Sequence, residues 1–597
     1  MTASRSRRPA ATSPPATQPK PAAWQPPVAL LWAAPILALL LVHGGAVRGF
    51  FAADDIDFLM RARGLDPTPW PLARLIPGAW RWQGMTAAFG ATPLPHLALA
   101  LALHGLTALL ATRIAVLAGL GRVAALIAGT LVAATSIAYS STHWASGLGE
   151  VLAASLTLLA LALHFECRHR QRPVLAVLAG ISIAAAVLSK ESAILAPLAI
   201  LLFDRLTRVR SEGRGAMREV LAGGGLAAAI AVALYLRSPH VGGEAYALAW
   251  TPAVWLANLG NYAAWLVMLG DPIRDRVAQS DMILLAPGVL VLALWGAAAA
   301  FERREHTRTV TAGLAWFVLL LAPVLLLANH TYLYYLVLPW VGVAFAVSVL
   351  LSRLVARFPA ATALATIAVL LGGFTVNEAL QIRTRQSLDI SGLKVDRIAR
   401  ESEILRNAVT SLRGVGLATG DSVAFVNPYP LLSMDASRGE VHGEGATLSE
   451  YAYIPFVLAT REGRALKLFV EEPVIVGISD GVRREWEGVR ILRYDNDGTL
   501  TDVGSGSDAL FALSEDYLKG ERWQYAQLAL ERVLELGRDD AEVRWRLGRA
   551  AGYQGNEAGA LEQARVLLER WPDSPRAVSL RENAARAGIS PTGQPTR

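Results

Sequence analysis

From residue 28 onward the chain alternates long apolar stretches with short polar ones. Apolar runs lie near 28–47, 94–118, 122–141, 146–165, 174–189, 191–204, 219–237, 282–300, 310–328, 333–351 and 359–378. Most approach the ~20 residues that cross a bilayer as a helix. The pattern predicts a polytopic α-helical membrane protein of about 11 transmembrane helices. Short basic segments separate the runs: the N-terminal tail, ECRHRQRP (166–173), DRLTRVRSEGRGAMR (204–218), FERREHTR (301–308) and SRLVARF (352–358). With that helix count all of them fall on one face, which the excess of Lys and Arg assigns to the cytoplasm. PAVWLANLGNYAAWLVMLG (252–270) would break the arrangement if it crossed, because FERREHTR would then face outward. Its Asn258, Asn261 and Tyr262 among further aromatics predict a helix resting on the outer surface. The first loop (48–93) and everything past about residue 379 are then extracytoplasmic.

Beyond that point the pattern changes period. Between 379 and 506 the short pieces SVAFVN, LKLFV, PVIVGI and VRILRY stand between Gly, Pro and Asp, which predicts strands of a small extracytoplasmic α/β domain. From 507 to 580 the sequence is helical and repeats. At the 34-residue period of tetratricopeptide repeats (TPR), Leu513 aligns with Leu547, Tyr517 with Ala551, Ala526 with Ala560 and Leu534 with Leu568. Gly548, Ala560 and Pro572 occupy the close-crossing and stop positions, so two TPR-like repeats are expected there. An ordinary pair of helical hairpins is the plainer alternative. Residues 1–27 and 581–597 are expected to be disordered tails, the first cytoplasmic and rich in Pro, Ala and Thr. The membrane domain is accordingly 28–378.

Composition supports this division. The 597 residues are 53% hydrophobic and 18% charged, against about 25% charged in soluble chains. The single cysteine, Cys167, excludes an intrachain disulfide and a cysteine metal cluster. The Ala- and Arg-rich composition points to a bacterial inner (plasma) membrane.

Polar residues interrupt the apolar pattern mainly at four outer turns. FFAADDIDFLMRAR (50–63) places Asp54, Asp55 and Asp57 directly after the first span. YSSTHWASGLGEVL (139–152) carries His143, Trp144 and, one turn into the next helix, Glu150. LSKESAILAP (188–197) carries Lys190 and Glu191, and ANHTYLYYLVLP (328–339) carries Asn329, His330, Tyr332, Tyr334 and Tyr335. Each has a plain reading: an Asp N-cap, a snorkelling lysine, an interfacial histidine, an aromatic belt. Ionisable groups at membrane depth are nonetheless functional suspects.

The order of these pieces resembles a known family. An Asp-Asp pair after the first helix, then H-W-x-x-x-x-x-E, L-S-K-E-S, T-Y-L-Y and C-terminal repeats is similar to the C-class (GT-C) membrane glycosyltransferases. The resemblance is to the branch of transmembrane and tetratricopeptide-repeat O-mannosyltransferases and their bacterial relatives. The chain departs from it in lacking an arginine before Glu150, and in having His330 and Thr331 where an acid and an arginine are usual. The resemblance implies a hexosyltransferase that moves a sugar from a polyprenyl-phosphate donor to a hydroxyl of a protein or glycan acceptor outside the cytoplasm. It implies Asp54 or Asp55 as the base of an inverting displacement, since an acceptor hydroxyl must lose a proton as it attacks. Lys190 would meet the leaving phosphate, with Arg48 and Arg61 as weaker candidates. Glu191, His143, Glu150, His330 and Tyr332 would contact sugar or phosphate. The neighbouring carboxylate has the oxygen chemistry for a divalent cation, Mg or Mn, although no metal motif is present. The repeats would hold the acceptor, and no nucleic acid is implied. Rival readings are a surface-polysaccharide polymerase or ligase, a lipid-glycan transporter or flippase, and a non-catalytic TPR scaffold of the cell envelope.

Overall fold

A computed structural model describes residues 24–70, 74–207, 247–267, 304–328, 330–390, 393–418, 420–428, 454–470, 474–479 and, apart from a few positions, 481–590. The first part is a bundle of long helices. These are α1 (Val28–His43), α4 (Pro93–Leu117), α5 (Arg122–Ala134), α7 (Leu148–Arg170), α8 (Pro173–Ser189), α9 (Ala196–Thr207), α11 (Arg304–Leu325), α12 (Val337–Val355) and α13 (Ala360–Ser387). Proline opens α4 and α8 and immediately precedes α13, where its missing N–H costs nothing. Among the described residues, seven helical segments are long and apolar enough to cross a membrane. The expected spans at 174–189 and 191–204 form the shorter helices α8 and α9, while nearly all of 219–237 and of 282–300 lies outside the described residues.

The centre of the bundle is α5, buried along its whole length from Val123 to Ala134 and packed on α1, α4 and α12. Its alanines and Gly129 let neighbours approach closely, as packing without a hydrophobic driving force requires. The tightest crossing joins α11 to α12. A Cβ built on either Gly313 or Gly342 would lie 2.4 Å from the other residue's carbonyl oxygen. At the opposite extreme, α13 is mostly exposed, with Val369, Val376 and Leu380 turned outward.

Two connections differ from the sequence reading. The stretch 139–152 is helical rather than an open loop: Thr135 is extended, its Oγ1 accepts the Ile137 N–H (3.3 Å), and α6 (Tyr139–His143) follows before the turn into α7. The helix α10 (Pro252–Val267) does not show a polar face to solvent. Asn258, Asn261 and Tyr262 are buried while Leu256 is exposed. Asn258 Nδ2 donates to the carbonyls of Leu325 (3.0 Å) and Leu327 (2.9 Å), acceptors left open where α11 ends.

The distal part begins later than expected, because α13 continues to Ser387. After a small hairpin, β1 (Asp389–Ile390) with β2 (Leu393–Lys394), comes α14 (Arg397–Gly414). A four-stranded sheet has the order β4-β3-β5-β6, from β3 (Ser422–Val426), β4 (Val474–Ser479), β5 (Arg490–Tyr494) and β6 (Leu500–Gly504). The first three are parallel and β6 is an antiparallel edge. Within LKLFV the strand expectation fails: Arg464–Leu468 is a 3₁₀ turn launched from Gly463 at φ 81°. That positive φ breaks an extended path and buries Ala465, Leu466 and Leu468 on one side. Helix α15 (Ile454–Thr460) packs on α14. The C-terminal helices α16 (Gly506–Lys519), α17 (Trp523–Glu535), α18 (Ala541–Tyr553) and α19 (Glu557–Arg570) pair as two hairpins, closed by α20 (Pro575–Arg586). That last helix occupies the start of the segment expected to be a disordered tail.

The crossing of α11 and α12 generates a stability prediction. Gly342→Ala should destabilise the protein by about 1–3 kcal/mol, because a methyl group is forced onto a backbone carbonyl that cannot swing away. Gly373→Ala, where nothing lies within 4 Å of the added carbon, should be neutral. Thermal unfolding of both variants in detergent checks the pair.

Candidate active site

The apolar α1 ends at His43, and a 3₁₀ turn (Gly44–Arg48) leads into Phe50–Ala53. Helix α2 (Asp54–Ala62) then starts with the acidic cluster. The two adjacent carboxylates part company here. Asp55 is fully buried. Its Oδ1 accepts from the Ser146 backbone N–H (2.6 Å) and the Ser146 hydroxyl (2.5 Å), and its Oδ2 from the Ala52 N–H (3.1 Å). Burial pushes its carboxyl up to about 7 against the pull of those bonds and of Arg81. Asp55 therefore ties the first connection to the turn ahead of α7, with no oxygen left to face solvent. Trp144 reinforces the tie, its indole N–H donating to the Ala52 carbonyl (3.0 Å).

Asp54, by contrast, is exposed. Protein crowds its other sides, and burial raises its carboxyl from the ordinary carboxylate range. Arg397 and Arg461 pull it back, while Asp57 and Glu401 push it further up. Asp57 is held by a two-pronged bond from Arg461, Nε to Oδ1 at 2.9 Å and an Nη to Oδ2 at 3.0 Å.

A second cluster gathers the other charged residues read from the sequence. Lys190 Nζ lies 3.1 Å from Glu150 Oε1, both side chains almost fully buried, and Ser192 donates to Glu150 Oε2 (3.3 Å). Lys190 also sits 5.3 Å from the ring centres of Tyr334 and Tyr335, a cation over two aromatic faces. Glu191 pairs with Arg74, whose Nε is 3.1 Å from Oε2. His330 packs edge-on against Tyr332 (4.5 Å between ring centres), and its Nε2 is 3.4 Å from the Tyr334 hydroxyl. Tyr332 is 41% exposed and stacks on Tyr334. The two clusters meet at Arg397, whose guanidinium feels both Asp54 and the Tyr332 hydroxyl.

The structure thus brings Asp54, Asp55, Glu150, Lys190, Glu191, His330 and Tyr332 to one end of the bundle. His143 goes elsewhere. Its ring is buried beside His43 (5.8 Å) and stacked on Tyr139 (4.7 Å), and Thr142 Oγ1 bridges the two histidines at 3.1 and 2.9 Å. The short helix α6 turns His143 into the bundle, and its successor Trp144 faces the Asp loop instead. Arg61 is also spent locally, on Asp66 (3.0 Å). Residue Asn329 lies outside the described residues.

Several residues in and around the two clusters carry no signal of their own in the sequence. Ser146, Arg74, Arg397, Glu401, Ser402 and Arg461 all sit in ordinary polar contexts, and the last four belong to the distal part of the chain. Ser146 alone had a signal, lying inside the quoted stretch 139–152. Most carboxylates around the loop are already engaged. Asp55 is saturated by N–H and O–H donors, Asp57 by Arg461, and Glu401 by Arg397 and the Ala53 N–H. Among the described residues no group of three or more His, Cys, Asp or Glu is placed to hold one.

No known family pattern matches the chain, and no curated protein matches it. Among solved structures it is similar to the Archaeoglobus fulgidus oligosaccharyltransferase. The apo crystal form is 14% identical, with a TM-score of 0.38, over 66% of this chain and 62% of that one. The form in complex with zinc and sulfate is also 14% identical, with a TM-score of 0.37, over 89% and 70%. The chain therefore spans under two thirds of the first of these.

The Lys190–Glu150 pair makes a test of what the second cluster does for the fold. Lys190→Met alone should cost about 3–5 kcal/mol, since it strands a buried carboxylate. Adding Glu150→Leu should recover most of that loss. Chemical unfolding of the single and double variants reads the difference.

Proposed function

We propose that the chain is an integral membrane glycosyltransferase that passes a hexose from a polyprenyl-phosphate donor to a hydroxyl group on a protein or glycan outside the cytoplasm. The observation that carries this reading is the division of labour between two neighbouring aspartates. Asp55 is locked in place, and Asp54 keeps an exposed carboxylate under the charge of Arg397 and Arg461.

In this reading Asp54 takes the proton of the acceptor hydroxyl as its oxygen attacks the anomeric carbon. The carbon–oxygen bond to phosphate breaks on the opposite face, and the phosphate leaves with the electron pair. One displacement inverts the anomeric centre and needs no covalent intermediate. The leaving phosphate needs positive charge more than a proton. Lys190 is only 10% exposed and paired with Glu150, so it is not the group that touches phosphate. Arg74 and Arg397, with side chains 30% and 57% exposed, are better placed to touch phosphate oxygens. Tyr332, 41% exposed, offers aromatic surface to the sugar. The α/β part and the repeats serve as the acceptor platform, a role helical repeats suit through their extended surfaces. Protein glycosylation at a bacterial inner membrane, with the N-terminus cytoplasmic, is the setting this implies.

Purified protein in nanodiscs, offered a panel of labelled polyprenyl-phosphate sugars, tests the reading through release of polyprenyl phosphate. Asp54→Asn should reduce turnover at least ~10²-fold with folding intact, the usual contribution of a general base. Turnover indifferent to that substitution would leave Asp54 as a turn residue. The pH profile gives a second check. A base must be ionised, so the raised Asp54 carboxyl should place the acidic limb of kcat above the ordinary Asp value of about 3.9. Arg397 favours the ionised form, so Arg397→Gln should move that limb to higher pH. A limb that stays put or moves down would remove Asp54 from the base role.

A further inference from the structure

The turn that leads into Asp54 is built in a backbone conformation its own sequence does not favour. Ala53 has φ 49° and ψ −126°, the first corner of a type II′ turn, where Gly is the usual occupant. The turn closes between the Asp55 N–H and the Ala52 carbonyl (3.1 Å). An L-alanine there is strained and will relax unless its surroundings hold it. Ala53 is 4% exposed, so water is not available to hold it.

What holds it comes from a helix far along the chain. The Ala53 N–H donates to Glu401 Oε2 at 2.9 Å, across a separation of 348 residues. The Phe50 N–H donates to Ser402 Oγ, also at 2.9 Å. Glu401 is itself 2% exposed, and its second oxygen takes Arg397 Nε at 2.6 Å. On the flanks Arg406 donates to the Arg48 carbonyl (2.7 Å), and Arg461 grips Asp57. One face of α14 therefore grips the stretch 48–53 that precedes the aspartates.

We infer that Glu401, seconded by Ser402, is a positioning residue that clamps Ala53 in its strained turn and so aims the Asp54 carboxylate. The distal domain is then part of the reaction centre as well as an acceptor platform. The clamp stands on geometry alone, whereas its catalytic consequence rests on the proposed role of Asp54. Aim matters because a displacement of about 1 Å at a reacting group can cost ~10²-fold in rate.

The experiment pairs hydrogen–deuterium exchange over residues 50–57 with donor turnover, on full-length protein in nanodiscs. Glu401→Ala should speed exchange of this segment by about tenfold, the scale of one buried hydrogen bond. Exchange elsewhere in the distal domain should not change. Its kcat should fall by roughly 10- to 100-fold with the donor KM unchanged. Glu401→Gln keeps an oxygen acceptor and should retain most of both properties. Placing Gly at position 53 in the Glu401→Ala background should restore part of kcat, since Gly holds the turn without help. Ser402→Ala gives a milder variant with the same local exchange signature if Glu401→Ala does not fold. Unchanged exchange in these variants overturns the inference. So does faster exchange with kcat intact, or a loss confined to KM. A wild type inactive on every donor, with exchange still responding, would sink the proposed reaction and leave the clamp standing.

Discussion

A buried turn must find partners for its backbone N–H groups, and in this protein that requirement organises the region around the aspartates. Past the first helix Ala52 and Ala53 are buried and Phe50 is half-buried, and an unmet buried donor costs about 1–3 kcal/mol. Their partners are Ser402 and Glu401, neighbours on one distant helix, and Asp55, three residues along. The carboxylate of Asp55 satisfies the turn and simultaneously captures Ser146 from the segment before α7. One buried acid thus joins two connections of the bundle, and one buried glutamate joins the bundle to the distal domain. The freedom of Asp54 depends on both, because a carboxylate can remain unengaged only where its neighbours have met the local need for acceptors.

The second cluster follows from the same economy of buried charge. Lys190 and Glu150 neutralise each other within the bundle, and Arg74 and Glu191 do so nearer its rim. An unpaired ion at that depth would be far costlier than either pair. Pairing fixes the lysine against Tyr334 and Tyr335 without adding net charge to the bundle. Any positive potential offered to an anion must then come from arginines that reach the rim.

How much of this could be read beforehand depended on range. Seven of the expected spans were legible because apolar length is a local property, and so was the position of the acidic cluster after the first helix. Three of the four expected strands were placed by their β-branched runs. LKLFV is apolar too, with one β-branched residue, and its first part became a 3₁₀ turn behind Gly463, whose positive φ composition does not reveal. The edge strand Leu500–Gly504 went unnoticed because only one of its faces is covered. The orientation of α10 was misjudged for a related reason. Asn258 reads as a surface residue until the open carbonyls of Leu325 and Leu327 supply a reason to bury it.

The choice between Asp54 and Asp55 was illegible in a deeper sense. As a string, the two residues are interchangeable: either can cap a helix, and both precede the same apolar positions. What separates them is the sign of φ at Ala53, and that sign is set by a side chain 348 residues away. Were Ala53 to relax to a negative φ, α2 would begin in a different direction, and the buried and exposed carboxylates could exchange roles. The identity of the exposed acid is consequently a property of the assembled domain pair. The same dependence accounts for the use of alanine where glycine would fit without strain. A glycine would keep the turn whether or not the domains are docked, whereas an alanine held by Glu401 keeps it only while they are.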